Sequence, residues 1–154
     1  MVALADRSVA AASAGVAAVV GAPVSEPMAD LMRGAGLRVA GFSAHQLTPR
    51  MIEHSDLVLT MTAQHRAWVV GRVPAAVRRT FTLLELARVA RLVDVDSSAP
   101  TAERLRHLVD AVPTVRAQFG SEDDTDVPDP YGLGADAYDL AFGLIEGAVR
   151  DILG

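Results

Sequence analysis

Leu57-Val58-Leu59-Thr60-Met61 is an unbroken apolar run of strand length, without the alternation of a strand that has one wet face. Such a strand is covered on both sides, as in the parallel sheets of α/β proteins. Thr62 follows as a helix N-cap. The helix it starts places Trp68 and Val69 on its buried side and stops at Gly71 and Pro74. Thr80 to Leu83 is a second short strand, and Ser8 to Ala14, small and partly β-branched, is a third, ending at Gly15. Helices alternate with these strands. Ser25 offers a capping hydroxyl, Pro27 sits in the first turn, and Met28, Leu31, Met32 and Ala35 share one face before Gly34 and Gly36. Thr48-Pro49 caps a short helix to His54, and Leu84 to Val93 and Thr101 to Val112 are amphipathic. In the last helix Tyr138, Phe142, Ile145, Val149 and Ile152 trace one face, and Asp136 lies near its positive end. Strands interleaved with helices predict an α/β fold with a short parallel sheet flanked by helices on both faces, in a single domain spanning 1–154.

Composition narrows the chemistry. There is no Cys, no Lys and no Asn, so all 14 basic residues are Arg, against 19 acids. A disulfide-stapled scaffold, a Cys-ligated metal site and a cysteine nucleophile within this chain are all excluded. Residues 1–77 hold 6 Arg and 5 acids, whereas 78–154 hold 8 Arg and 14 acids, so the net charge of −5 falls on the second half. No basic stripe of the kind that grips a nucleic-acid backbone is present. The apolar segment Val9 to Val24 has no positively charged start and is broken by Gly and Pro, so neither a signal peptide nor a membrane span is expected. The expectation is a cytoplasmic protein. His45, His54, His65 and His107 form no close pair of metal-ligand spacing, and no phosphate-cradling Gly-rich loop or nucleophile elbow occurs.

Five stretches, in order, carry a resemblance. They are Ser13-Ala14-Gly15, Gly21-Ala22-Pro23, Gln46-Leu47-Thr48-Pro49, Asp56 to Thr62 with His65, and Asp126-Val127-Pro128-Asp129-Pro130-Tyr131-Gly132. Together they resemble the low-molecular-weight protein-tyrosine-phosphatase family in its high-GC actinobacterial form. The resemblance implies a three-layer fold with a four-stranded parallel sheet ordered 2-1-3-4. It also implies a first strand leading into a Cys-x5-Arg phosphate loop and a helix. Counted back from Ser13-Ala14-Gly15, that strand, loop and helix fall upstream of Met1. Val16, Phe42 and His45 also depart from the usual pattern.

The same resemblance implies roles for what remains. Asp129 takes the place of the general acid that protonates the leaving phenolate. Tyr131 takes that of an aromatic wall of the phosphotyrosine cleft. Asp126 and Pro130 support the loop, Asp126 by bonding backbone N–H groups. No cofactor or metal is implied. The partners implied for a completed enzyme are a phosphotyrosine protein or a small aryl phosphomonoester. The chain as given is expected to be inactive, as the remainder of a phosphatase. A pseudo-phosphatase acting as a binding or regulatory module is the alternative, and an arsenate reductase on the same fold, which would need several Cys, comes third.

Overall fold

The computed structural model describes residues 8–119 and 125–154. The acids Glu122, Asp123 and Asp124 and the start of the chain, Met1 to Arg7, lie outside the described residues. In chain order come α1 (Glu26–Gly34), α2 (Pro49–Glu53), β1 (Val58–Thr60), α3 (Ala63–Arg72), a 3-10 helix (Pro74–Arg79), β2 (Thr80–Thr82), α4 (Leu83–Leu92), α5 (Thr101–Phe119) and α6 (Ala135–Leu153). β1 and β2 pair in parallel, with Val58 opposite Thr80, Leu59 opposite Phe81 and Thr60 opposite Thr82.

The pleat explains why the Leu57–Met61 run is apolar throughout. Leu57, Leu59 and Met61 pack on one side, against a core built from Phe81, Leu83 and side chains of α4, α5 and α6, including Leu86, Leu108, Val112 and Ile152. Val58 points the other way, onto a smaller core of Ile52, Val69, Val73 and Ala76 contributed by α2, α3 and the 3-10 helix. The sheet is therefore the middle of three layers, and successive residues of one strand serve opposite cores.

Threonine caps mark three of the helix starts. Thr48 accepts from Met51 N at 3.3 Å, Thr62 from His65 N at 3.1 Å and Thr82 from Glu85 N at 3.2 Å. Each hydroxyl satisfies a backbone donor that the first turn leaves without a partner. Thr62 and Thr82 stand at the ends of β1 and β2, so each strand turns directly into its helix. Ser25 departs from expectation. It occupies the N-cap position but its side chain makes no cap bond.

Three other expectations change. Ser8 to Ala14 is not a strand; pairing begins only at a single parallel bridge between Gly15 and Gln46. A strand exists through its ladder, and among the described residues nothing lies alongside this segment to supply one. The described sheet consequently has two strands where the resemblance implies four. α5 does not stop at Val112 but runs through Pro113 to Phe119. A proline inside a helix costs about 3 kcal/mol, yet Leu108, Val112 and Val115 form one buried face across it, and that face holds the helix together. In α6 the most buried side chains are Tyr138, Ala141, Ala148 and Ile152, with Ile145 and Val149 at the margin of the core. The apolar stripe is rotated towards small residues, which lets α4 pack close against α6.

Candidate functional site

The segment from Thr125 to Leu133 passes the carboxyl end of β1. Val127 N donates to Met61 O at 2.8 Å, and Val127 itself is buried. One residue earlier, Asp126 Oδ1 accepts from Ala63 N at 2.6 Å, at the first turn of α3. Two consecutive residues thus fasten the segment to the end of β1 and to the start of the helix that follows it. The carboxyl ends of parallel strands are where open α/β sheets bind ligands, because the loops there are free to vary while the sheet stays fixed. A carboxylate at a helix N-terminus also meets the positive end of the helix dipole.

Beyond this anchor the chain turns. Asp129 Oδ1 accepts from Tyr131 N at 3.0 Å, a local bond of the kind an Asp makes to the backbone two residues on. Leu133 N donates to Pro130 O at 3.0 Å, and Gly132 lies at φ +79°, a conformation that a side chain would strain. Asp129 is exposed, and Tyr131 is 80% exposed. Asp126, Asp129, Pro130 and Tyr131, all proposed from sequence, therefore share one loop at one end of the sheet. The second oxygen of Asp129 is directed by nothing else described, so its carboxyl group is available to solvent and to a ligand.

Removing the Asp126 carboxylate tests the anchor. Asp126→Ala is expected to lower unfolding free energy by about 1–2 kcal/mol, the usual worth of a helix-start acceptor, and Asp126→Asn by about half as much. Urea melts of the two variants and the parent measure this directly. Equal midpoints for all three would show that the bond to Ala63 contributes nothing.

A cavity of about 360 Å³ opens beside the same end of the sheet, lined by Ala63, Arg66, Thr82, Glu85, Arg116 and Thr125 among others. Arg66 Nε donates to Thr80 O at 2.8 Å, and Arg116 pairs with Glu85 at 2.6 Å. Asp129 and Tyr131 do not line it. Sequence reasoning did not single out Arg66, Glu85 or Arg116. Arg66 lies four residues beyond the Thr62 cap, and its position after the strand was the one signal available. Gln46, quoted above as part of a motif, is structural. Its side-chain amide accepts from Ala18 N at 3.1 Å and donates to Val16 O at 2.9 Å, clamping the turn that precedes α1. His65 stands in the first turn of α3, and no cluster of metal-ligating residues occurs among the described residues. No described helix is long and apolar enough to cross a membrane.

The fold is shared with solved phosphatase structures. The tyrosine phosphatase amsI of Erwinia amylovora superposes with a TM-score of 0.63 at 21% identity, over 91% of this chain and 70% of that one. Vibrio vulnificus Wzb, solved with benzylphosphonate, gives 0.60 at 22% identity over 90% and 75%. The YwlE arginine phosphatase of Geobacillus stearothermophilus gives 0.59 at 26% identity over 90% and 69%. No curated protein sequence matches the chain. Residues 3–104 match the family described as low molecular weight phosphotyrosine protein phosphatase, and the chain belongs to that family.

Proposed function

We propose that this chain carries the acid half of a phosphotyrosine phosphatase site without its nucleophilic half, and that by itself it hydrolyses nothing. One observation carries the reading: the Asp-Pro-Tyr loop sits at the carboxyl end of β1, whereas the sequence holds no Cys at all. Phosphoryl transfer to the enzyme needs an activated nucleophile, and a carboxyl group that gives and takes protons cannot substitute for one. Asp129 is the proton donor to a leaving phenolate, and Tyr131 presents its ring beside it. Asp126 positions both through Ala63. The loop lies outside the residues matched to the family, so its roles rest on the motif and on its location.

Purified 1–154 is expected to show no turnover of an aryl phosphate above background at about pH 5–7. Turnover that survives metal chelation and disappears in Asp129→Asn would overturn the proposal. If the loop still recognises an aryl phosphate without cleaving it, the protein acts as a binding module. The exposure of Tyr131 favours that second reading to the extent that its ring is free to stack. The substrates of a completed enzyme would be phosphotyrosine proteins or small aryl phosphomonoesters.

A further inference from the structure

The cavity of about 360 Å³ beside the end of the sheet is walled in part by two guanidinium groups whose directions are already fixed. Arg66, one turn into α3, bonds Thr80 O through its Nε. Among the described residues its two terminal nitrogens have no acceptor, and neither is sealed from solvent. Arg116 reaches across from α5. It meets Glu85 Oε1 with its Nε and one terminal nitrogen, both at 2.6 Å, and lies over the Phe81 ring, 5.8 Å from its centre. Thr80 and Phe81 are consecutive in β2, one strand step of about 3.3 Å apart. The two cations are therefore anchored on neighbouring residues of one strand, and both are half-buried.

A guanidinium is planar, so bonding it along one edge aims the other. A side chain held in this way has little rotamer freedom left to lose when a ligand arrives. Half-burying a cation also costs hydration, and Arg66 recovers one carbonyl in return. The rest of the lining suits an anion. Ala63 and Glu85 bring the first turns of α3 and α4, the positive ends of two helix dipoles. Among the described lining residues Glu85 is the one carboxylate, and Arg116 already holds it. Arg88 lines the cavity too and has a partner of its own. Val89 and Val115, both buried, supply an apolar part of the wall.

We propose that this cavity binds the phosphoryl group of a small organic phosphomonoester, bridged between Arg66 and Arg116, with the carbon chain against Val89 and Val115. A phosphoryl group offers three oxygens and close to two negative charges, enough to serve two guanidinium groups from different helices. A carboxylate has two oxygens in one plane and serves one. The volume lies within the range of small-molecule sites, about 300–1,000 Å³, and exceeds what a bare ion fills. Neither Asp129 nor Tyr131 lines the cavity, so the proposal is independent of the role given to their loop.

The test uses the full chain, isotopically labelled, and n-butyl phosphate, which has no ring for Tyr131 to stack on. Two-dimensional NMR of the arginine Nε–Hε groups reads the site directly. The Arg66 and Arg116 signals, assigned from their Gln variants, should shift and saturate with a Kd of about 1 mM or tighter. n-Pentanoate should bind about tenfold more weakly, and inorganic phosphate several-fold more weakly for want of the chain. Arg66→Gln or Arg116→Gln should weaken binding about tenfold, followed on the signal that remains. Ala63→Glu keeps every arginine and puts a carboxylate at an exposed helix start, where it suits the fold. It should weaken binding comparably, through like charge. Arg38→Gln/Arg106→Gln, outside the lining, should stay within about twofold. Backbone amide spectra as well dispersed as the parent's show that each variant is folded. The proposal is overturned if the Arg66 and Arg116 signals stay in place at about 20 mM n-butyl phosphate, well above the expected Kd. It is equally overturned if n-pentanoate or inorganic phosphate binds as tightly, or if Ala63→Glu and both Gln variants bind within about twofold of the parent.

Discussion

Fusing an apolar strand, a Cys-x5-Arg loop and a helix in frame ahead of Met1 should give this chain aryl phosphatase activity, and Asp129→Asn in that fusion should then lower turnover by about 10²–10⁴. The restored enzyme should show a bell-shaped pH dependence, because it needs a thiolate and a protonated Asp129 together. The loss in Asp129→Asn should shrink as the leaving phenolate becomes a weaker base, since a good leaving group departs without a proton. Asp126→Asn in the same fusion should cost far less, acting through the loop's attachment to α3 rather than through a proton. A series of aryl phosphates spanning poor to good leaving groups separates these outcomes. If Asp129→Asn is harmless with the poorest leaving group, the loop plays no part in proton transfer.

The same fusion should raise the melting temperature by about 10 °C. Among the described residues β1 has a ladder partner on one side only, and Leu57, Val58, Leu59 and Met61 are half-buried. A strand laid along β1 would complete their burial. At about 1 kcal/mol for each half-exposed side chain the gain is roughly 4 kcal/mol, and each kcal/mol shifts a domain of this size by about 2–4 °C. Alone, the chain should self-associate as concentration rises, because an unpaired edge with apolar neighbours is a template for pairing. Scanning calorimetry of both forms, with sedimentation velocity across concentrations, tests the pair of expectations. A sharp, reversible transition of a monomeric 1–154, with no gain in the fusion, would show that β1 needs no further partner.

These two expectations draw on different layers of information. The α/β class, both strands and most of the helices were legible in the residues, because each is governed by local physics. Threonine hydroxyls at 48 and 62 cap the helices they precede, and the Leu57–Met61 run serves two cores because both faces of its strand are covered. The order of the motifs pointed to the family for the same reason: short stretches fix turns and strand ends one at a time. What local pattern could not settle was anything that depends on a distant partner. Ser8 to Ala14 has strand composition yet forms no ladder, since pairing is a property of two segments and not of one. Pro113 looked like a helix end, but the buried face of Leu108, Val112 and Val115 carries α5 past it. The bond from Ala63 N, in the first turn of α3, to Asp126, in a loop 63 residues away in sequence, is likewise a tertiary fact. Sequence by itself determined which residues could form strands, helices and a proton-donating loop, because propensity, capping and hydrophobic period act over a few residues. Only the tertiary structure decided which of them meet, because burial and charge pairing are set by neighbours that the chain brings together in space.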